Sequence, residues 1–169
     1  DRVKELDSYL IKEIKKATVI LLCFDDIEVW IDKLSKKTWY SFYGNLYDQK
    51  PYNNRAQLKV LNYENIKNIM SKIIKILKKF GEKKIILMTS PNKLLATFQN
   101  KDVEIIESYS KSTYTAVFND LVSKNVSYFP ALEIFNNLNE KKKYRKDLLH
   151  VKLKVAENIL EPYFKKMYF

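Results

Sequence analysis

The residues best suited to chemistry are an aspartate and the chain's single histidine, in Asp147-Leu148-Leu149-His150. In a tight turn, the Asp147 carboxylate can accept the imidazole Nδ1–H. This fixes the tautomer and leaves Nε2 free as a general base toward a hydroxyl. We therefore take His150 as a candidate base and Asp147 as its orienting partner. The spacing is weak evidence alone, because lone histidines are more often structural or exposed.

Other kinds of site find little support in the composition. One histidine and one cysteine, far apart, cannot supply a zinc site, so we expect no metal. Cys23 lies in an apolar run with no positive charge nearby in sequence, which favours buried packing over nucleophilic chemistry. The only glycines, Gly44 and Gly81, cannot build a phosphate-binding loop. The chemistry is therefore expected to come from side chains.

The formal net charge of +11 raises the question of an anionic partner. Most lysines fall on the polar sides of predicted helices, which is typical of a solvated surface. The densest basic run, residues 140–146, leads directly into Asp147 and would attract an anionic substrate or donor. Nucleic acid is the alternative partner, but no known nucleic-acid-binding motif accompanies the charge.

The cellular setting is indicated by what the sequence lacks. A single cysteine allows no intramolecular disulfide, which suits a reducing compartment. No segment approaches the ~20 apolar residues of a membrane span, and the first residues lack a signal-peptide apolar region. We expect a cytoplasmic protein without a membrane span. Because the chain starts without methionine, we also expect an upstream segment.

Hydrophobic patterns alternate between helix and strand along the chain. Continuous apolar runs at residues 17–24 and 84–89 and a shorter one at 126–129 predict buried parallel strands. Periodic stripes predict helices over the following ranges: about 3–16, 66–80, 108–124 and 151–166. Strands alternating with crossover helices predict a parallel α/β sheet with helices on both faces. Ligands collect at the carboxyl ends of such strands.

An aromatic-rich insertion, residues 33–62, interrupts this pattern. A long irregular loop of this kind is typical of a lid, although the rings can equally form a satellite core over one sheet edge. Both interpretations stay open. The aromatic residues are Trp39, Tyr40, Phe42, Tyr43, Tyr47 and Tyr52.

Six segments, in order along the chain, resemble motifs of one known family. They are Ile20 to Asp32, similar to "LTLGLTEVWxD"; Lys84 to Pro91, similar to "KIILTVSP"; Ala96 to Val103; Ser108 to Ser112, similar to "SYSKS"; Tyr128 to Ile134, similar to "YFPSYEI"; and Asp147 to His150, in place of "DxxHP". Over nearly its whole length the chain resembles bacterial GSCFA-domain proteins, a branch of the SGNH hydrolase superfamily.

The resemblance implies a flavodoxin-like three-layer α/β/α fold, with residues 1–169 as one domain that lacks its first strand. It implies an acyl esterase or acyltransferase acting on a surface polysaccharide or its precursor, so a glycan is the expected partner. His150 would be the base and Asp147 its orienter. No resident cofactor is expected, although acetyl-CoA or another acyl-CoA could be the donor. The candidate substrate-binding residues are Asp25, Glu28, Trp30, Ser90, Ser110, Lys111 and Glu133.

Departures from the family pattern lead to an alternative. No Gly-Asp-Ser or Gly-Ser-Cys occurs, so the serine would lie upstream. Asp25 replaces a family glycine and Ile27 a threonine, and a carboxylate there would repel a developing oxyanion. Val151 replaces the proline that follows the histidine. The alternatives are a degenerate glycan-binding or scaffold module and, second, a basic nucleic-acid-binding domain.

Overall fold

A computed structural model describes residues 2–39, 55–138 and 143–169, which form a flavodoxin-like α/β/α arrangement, as the family resemblance implied. None of the described helices is both long and apolar enough to cross a membrane. The elements in chain order are α1 (Arg2–Lys16), β1 (Val19–Phe24), β2 (Glu28–Asp32), β3 (Thr38–Trp39), β4 (Ala56–Val60), α2 (Tyr63–Lys78), β5 (Lys84–Thr89), α3 (Val103–Asp120), β6 (Val126–Phe129), α4 (Ala131–Asn136), α5 (Leu153–Val155), a π-helical turn (Ala156–Leu160) and α6 (Glu161–Tyr168).

The central strand of the parallel sheet is β5, in the order β1-β5-β6. Val19 pairs with Lys84 at one side and Ile85 with Val126 at the other. Consecutive residues Ile85, Ile86 and Leu87 are all fully buried. Burial on both faces requires an apolar side chain at every position, which explains the continuous apolar run of this strand.

Helices α2 and α3 cover one face of the sheet. The apolar stripe of α2 supplies Ile66, Met70, Ile74 and Leu77 to a core that includes Phe118 of α3. Side chains three or four positions apart lie on one face of a helix, so the stripe meets the sheet as a unit. Helix α3 begins earlier than the predicted residue 108, because Asp102 caps its first turn by accepting from the Glu104 backbone N–H at 2.8 Å.

The C-terminal segment covers the other face, and the helix predicted over about 151–166 is present as continuous helical structure over residues 153–168. Phe164 and Tyr168 pack beside Ile86 and Phe129. A π-helical turn separates two short helices. We attribute the turn to Pro162, which has no N–H and whose ring would clash with the carbonyl four residues earlier in a regular α-helix.

Strand β1 is only partly buried, in contrast to the prediction. Leu21 is 46% exposed and Cys23 is also exposed. Within the described part of the chain β1 is an edge strand, and helix α1 contributes little to covering its second face. The expected buried packing of Cys23 is therefore corrected. Surrounding protein atoms and the nearby Asp25 nevertheless raise the pKa of its thiol to about 11, which disfavours the reactive thiolate.

Part of the predicted irregular insertion is regular. Strands β3 and β4 lie on either side of β2 in a small antiparallel sheet. The Asp32 carboxylate accepts two hydrogen bonds from the Arg55 guanidinium, at 2.8 and 2.7 Å, which hold the pKa of Asp32 well below its usual range. The aromatic residues 40–52 lie outside the described residues, as does the side chain of Trp39, so the lid and satellite-core interpretations both stand.

We expect Leu87→Ala to lower the free energy of unfolding by ~2–5 kcal/mol, because it leaves a cavity in the centre of the sheet. Leu87 is fully buried, whereas Leu95 is 77% exposed and makes a matched control. Urea unfolding monitored by circular dichroism measures both variants. A cost for Leu87→Ala no larger than for Leu95→Ala would contradict the burial of β5.

Candidate active site at the carboxyl ends of the parallel strands

A short turn holds Asp147 and His150 together. The imidazole Nδ1 lies 2.8 Å from Asp147 Oδ2, while Oδ1 accepts the backbone N–H groups of His150 at 3.0 Å and Leu149 at 2.9 Å. Leu148 adopts a left-handed backbone conformation, with φ of 60°. The backbone bonds from His150 and Leu149, followed by the imidazole contact, lower the pKa of Asp147 to about 2. Asp147 is therefore a stable anion beside the ring.

This turn is attached to the loop that follows β5. The Lys93 N–H donates to the Leu149 carbonyl at 2.9 Å, and the Val151 N–H donates to the Asn92 side-chain oxygen at 2.9 Å. His150 is thereby tethered at the carboxyl end of the parallel sheet. Its side chain is 57% exposed. With Nδ1 directed at Asp147, Nε2 is the nitrogen available to a substrate.

A buried ion pair in α3 also holds this loop in place. Lys111 Nζ lies 2.6 Å from Glu107 Oε1 and donates to the Asn92 carbonyl, while Glu107 Oε2 accepts from the Leu94 N–H at 3.1 Å. Lys111, expected to line the site, is only 6% exposed. Its described contacts make it a support for residues 92–94.

Three other predicted residues meet where β1 and β5 end. Ser110 donates a hydrogen bond to the Asp25 carbonyl, and the Ser90 hydroxyl accepts from the Asn92 N–H at 3.2 Å. Burial raises the pKa of Asp25; the Ser90 hydroxyl and the Lys111 charge oppose the shift, and Glu107 adds to it. Ser110 is wholly buried, which indicates that its hydroxyl forms hydrogen bonds within the protein interior and does not contact a substrate.

Glu28 and Trp30 lie on β2 and contact the loop at residues 97–99. Glu28 accepts hydrogen bonds from the Thr97 hydroxyl at 2.5 Å, the Phe98 N–H at 3.0 Å and the Gln99 side-chain amide at 2.9 Å. The Trp30 ring meets the Phe98 ring edge to face, with centroids 5.2 Å apart. These contacts shape the loop after β5.

Glu133, at the start of α4, accepts the Tyr128 hydroxyl at 2.8 and 3.0 Å. The pKa of Tyr128 is raised to about 12, and burial is the largest cause of this shift. Thr115 lies 3.4 Å from the Tyr128 hydroxyl and 3.2 Å from Thr89 Oγ1. A polar chain therefore runs from the end of β5 to α4.

An open cleft of about 550 Å³ lies between α3 and α4. Its wall includes Lys111 and Glu133 from the predicted set. It also includes Glu107 and Tyr144, which the sequence analysis did not single out. The Glu107–Lys111 pair could have been found from its four-residue spacing on a helix, whereas nothing local in sequence marks Tyr144. In the part of the chain that the structure describes, no cluster of His, Cys, Asp or Glu is arranged to hold a metal.

The fold and this site define an α/β protein with an aspartate-held histidine at the carboxyl ends of its parallel strands. The model of the GSCFA family matches residues 2–163. The chain therefore belongs to the GSCFA family. Comparisons with curated proteins and with solved structures give no significant match.

The low pKa of Asp147 predicts a pH-dependent contribution to stability. Its folded-state pKa of about 2 lies below the ~3.9 of a free aspartate, so the unfolded chain binds the proton first as the pH falls. The stabilisation is complete above ~pH 5 and is lost as the pH falls toward ~2. Urea unfolding should show that wild type is more stable than Asp147→Asn at ~pH 5 and that this difference shrinks by ~pH 3. A difference independent of pH would contradict the ionised turn.

The Nδ1 contact also predicts the tautomer of the neutral imidazole. We expect Nδ1 to carry the proton in the wild type and Asp147→Ala to populate the Nε2–H form. Because the chain has one histidine, a long-range ¹H–¹⁵N spectrum assigns both ring nitrogens directly. Asp7→Ala, on the exposed side of α1, is the control. An unchanged tautomer in Asp147→Ala would show that Asp147 does not orient the ring.

Proposed function

We propose that this GSCFA-family chain is the acid–base part of an SGNH-type acyl esterase or acyltransferase that acts on a surface polysaccharide or its precursor. The observation that carries the proposal is the 2.8 Å contact between His150 Nδ1 and Asp147 Oδ2, in a turn tethered to the carboxyl end of β5. Fixed in this way, the imidazole can take and return a proton through Nε2.

Asp147 keeps its charge throughout the reaction in this proposal. Three hydrogen bonds hold its carboxylate, and its pKa of about 2 keeps it ionised at neutral pH. It would stabilise the imidazolium that forms when His150 accepts a proton, without itself becoming protonated.

A serine from a segment outside this sequence is the nucleophile we propose. Ser90 and Ser110 are poor candidates, because they are 6% and 0% exposed and their hydroxyls are engaged by the Asn92 N–H and the Asp25 carbonyl. Among the described residues no strand pairs with the outer edge of β1, which supports a further strand beside it. A strand parallel to β1 at this position would have its carboxyl end beside that of β1, at the end of the sheet where the His150 turn is tethered.

The proposed chemistry has two balanced halves. The serine oxygen attacks the acyl carbonyl while Nε2 takes the hydroxyl proton, and Nε2–H then protonates the departing alkoxide or thiolate. Water or a sugar hydroxyl next gives its proton to Nε2 and attacks the acyl-serine, whose oxygen recovers that proton as it leaves. Water yields hydrolysis and a sugar hydroxyl yields transfer.

An acyl-CoA, such as acetyl-CoA, is the donor we propose, and the cytoplasm is the location. Arg145 and Lys146 are exposed and immediately precede Asp147. Their charges would attract the donor's phosphates toward the turn. The neighbouring Lys143 ammonium already donates to the carbonyls of Phe135 and Asn136, at 2.9 and 3.1 Å.

A second candidate is a catalytically inactive module that binds glycan. Asp25 favours it, since this carboxyl group occupies the position of a family glycine and would oppose a developing oxyanion if ionised there. Burial raises the pKa of Asp25, which favours the neutral carboxyl group and so reduces its repulsion of an oxyanion. The two candidates differ in one measurable property, the formation of an acyl-enzyme.

We expect His150→Ala and Asp147→Asn, in the protein that includes the serine-bearing segment, to lower kcat ~10²–10⁴-fold. Hydrolysis of p-nitrophenyl acetate and acetyl transfer from acetyl-CoA are the two assays. Asp7→Asn, on exposed α1, should leave both rates unchanged. Full activity in His150→Ala would reject the assigned base. Absence of any acyl-enzyme, together with retained glycan binding, would favour the inactive module.

A further inference from the structure

The cleft between α3 and α4 has the chemistry of a site for an uncharged, hydroxyl-rich ligand. We infer that it is the subsite for a neutral hexose unit of the glycan and that the phosphates of an acyl donor bind elsewhere. Its role as an acceptor subsite rests on the function proposed above, whereas the binding of the sugar can be tested alone.

The charges of the cleft argue against an anionic ligand. Lys93 lies 3.2 Å from Glu104, and Lys111 lies 2.6 Å from Glu107, so each ammonium group already faces a carboxylate. Glu133 adds a third carboxylate to the lining. A phosphate or uronate would therefore meet carboxylates and, among the described residues of the wall, cations that are already paired.

Neutral hydrogen-bonding groups occupy the rest of the wall. Ser108 and Ser112 are exposed and one helical turn apart on α3, and Asn136 is exposed on α4 opposite them. Hydroxyl and amide groups both donate and accept, as sugar hydroxyls do. A cleft of about 550 Å³ falls within the ~300–1,000 Å³ range of small-molecule sites, large enough for one or two sugar rings.

Tyr144 adds an aromatic surface, which the apolar face of a pyranose can pack against. Its ring meets Phe135 edge to face with centroids 5.1 Å apart, and the Lys93 ammonium lies 5.8 Å from its centroid. These contacts fix the ring at the wall of the cleft. A rigid aromatic anchor binds at a low cost in conformational entropy.

The cleft is joined to the His150 turn through two of its residues. Tyr144 pairs with Val151, the residue after His150, in an antiparallel bridge. The Lys93 N–H bonds the Leu149 carbonyl, the residue before it. The wall of the cleft is therefore connected by backbone contacts to the residues on both sides of the proposed base.

Saturation-transfer NMR on this chain tests the inference with four neutral disaccharides, namely cellobiose, lactose, mannobiose and diacetylchitobiose, and with digalacturonic acid as an anionic probe of similar size. We expect at least one neutral disaccharide to bind and digalacturonic acid to bind at least about tenfold more weakly. Ser112→Phe should fill the cleft from an exposed helical position and weaken binding about tenfold or more. Ser8→Phe, on exposed α1, is the matched control and should bind normally.

The contribution of the aromatic ring is tested by Tyr144→Phe, which should retain binding, and Tyr144→Ala, which should lose it. His150→Ala should still bind the sugar, so a failure of the catalytic proposal would leave this result intact. Binding of none of the four neutral disaccharides, equal binding of digalacturonic acid, or undiminished binding in Ser112→Phe would each overturn the inference.

Discussion

The buried Glu107–Lys111 ion pair is the interaction on which the rest of the site depends. Its side chains are only 12% and 8% exposed, and burying two charges is unfavourable unless their other hydrogen-bonding positions are satisfied. Here they are satisfied by the Leu94 N–H and the Asn92 carbonyl. The pair therefore fixes the loop after β5, and that loop in turn binds the backbone on either side of His150. The position of the His150 turn on the surface therefore depends on charges in the interior.

The sequence predicted the fold best where local pattern and burial agree. Strand β5 is apolar at successive positions and is fully buried at Ile85, Ile86 and Leu87, as predicted. Strand β1 has the same pattern, yet Leu21 is exposed, because hydrophobicity records what a strand can bury and not what lies against it. The prediction that the insertion is irregular was wrong in part for a related reason. The pairing of β2 with β4 joins residues more than twenty positions apart, and no local period marks such a contact.

In the candidate site, too, contacts between residues close in sequence could be predicted and distant ones could not. Asp147 and His150 are three positions apart, so their contact could be predicted from a turn alone. The bond between Asn92 and Val151 spans 59 positions and could not. Several residues chosen for their chemistry, Glu28 and Lys111 among them, make contacts that hold loops. Polar groups near a site are needed in larger number to position the backbone than to meet a substrate.

The distribution of charge around His150 gives the two proposed half-reactions separate approaches. Exposed Arg145 and Lys146 precede the turn, whereas the cleft beyond Tyr144 is lined by cations that already face carboxylates. On the proposed function, an anionic donor and a neutral acceptor would thus favour different parts of the surface. The same Nε2 must serve the leaving group first and the attacking hydroxyl second, so a ring that is 57% exposed suits this chemistry better than a buried one. On the proposed function, the exposure of His150 is what leaves a single base accessible to both a large glycan and an acyl donor.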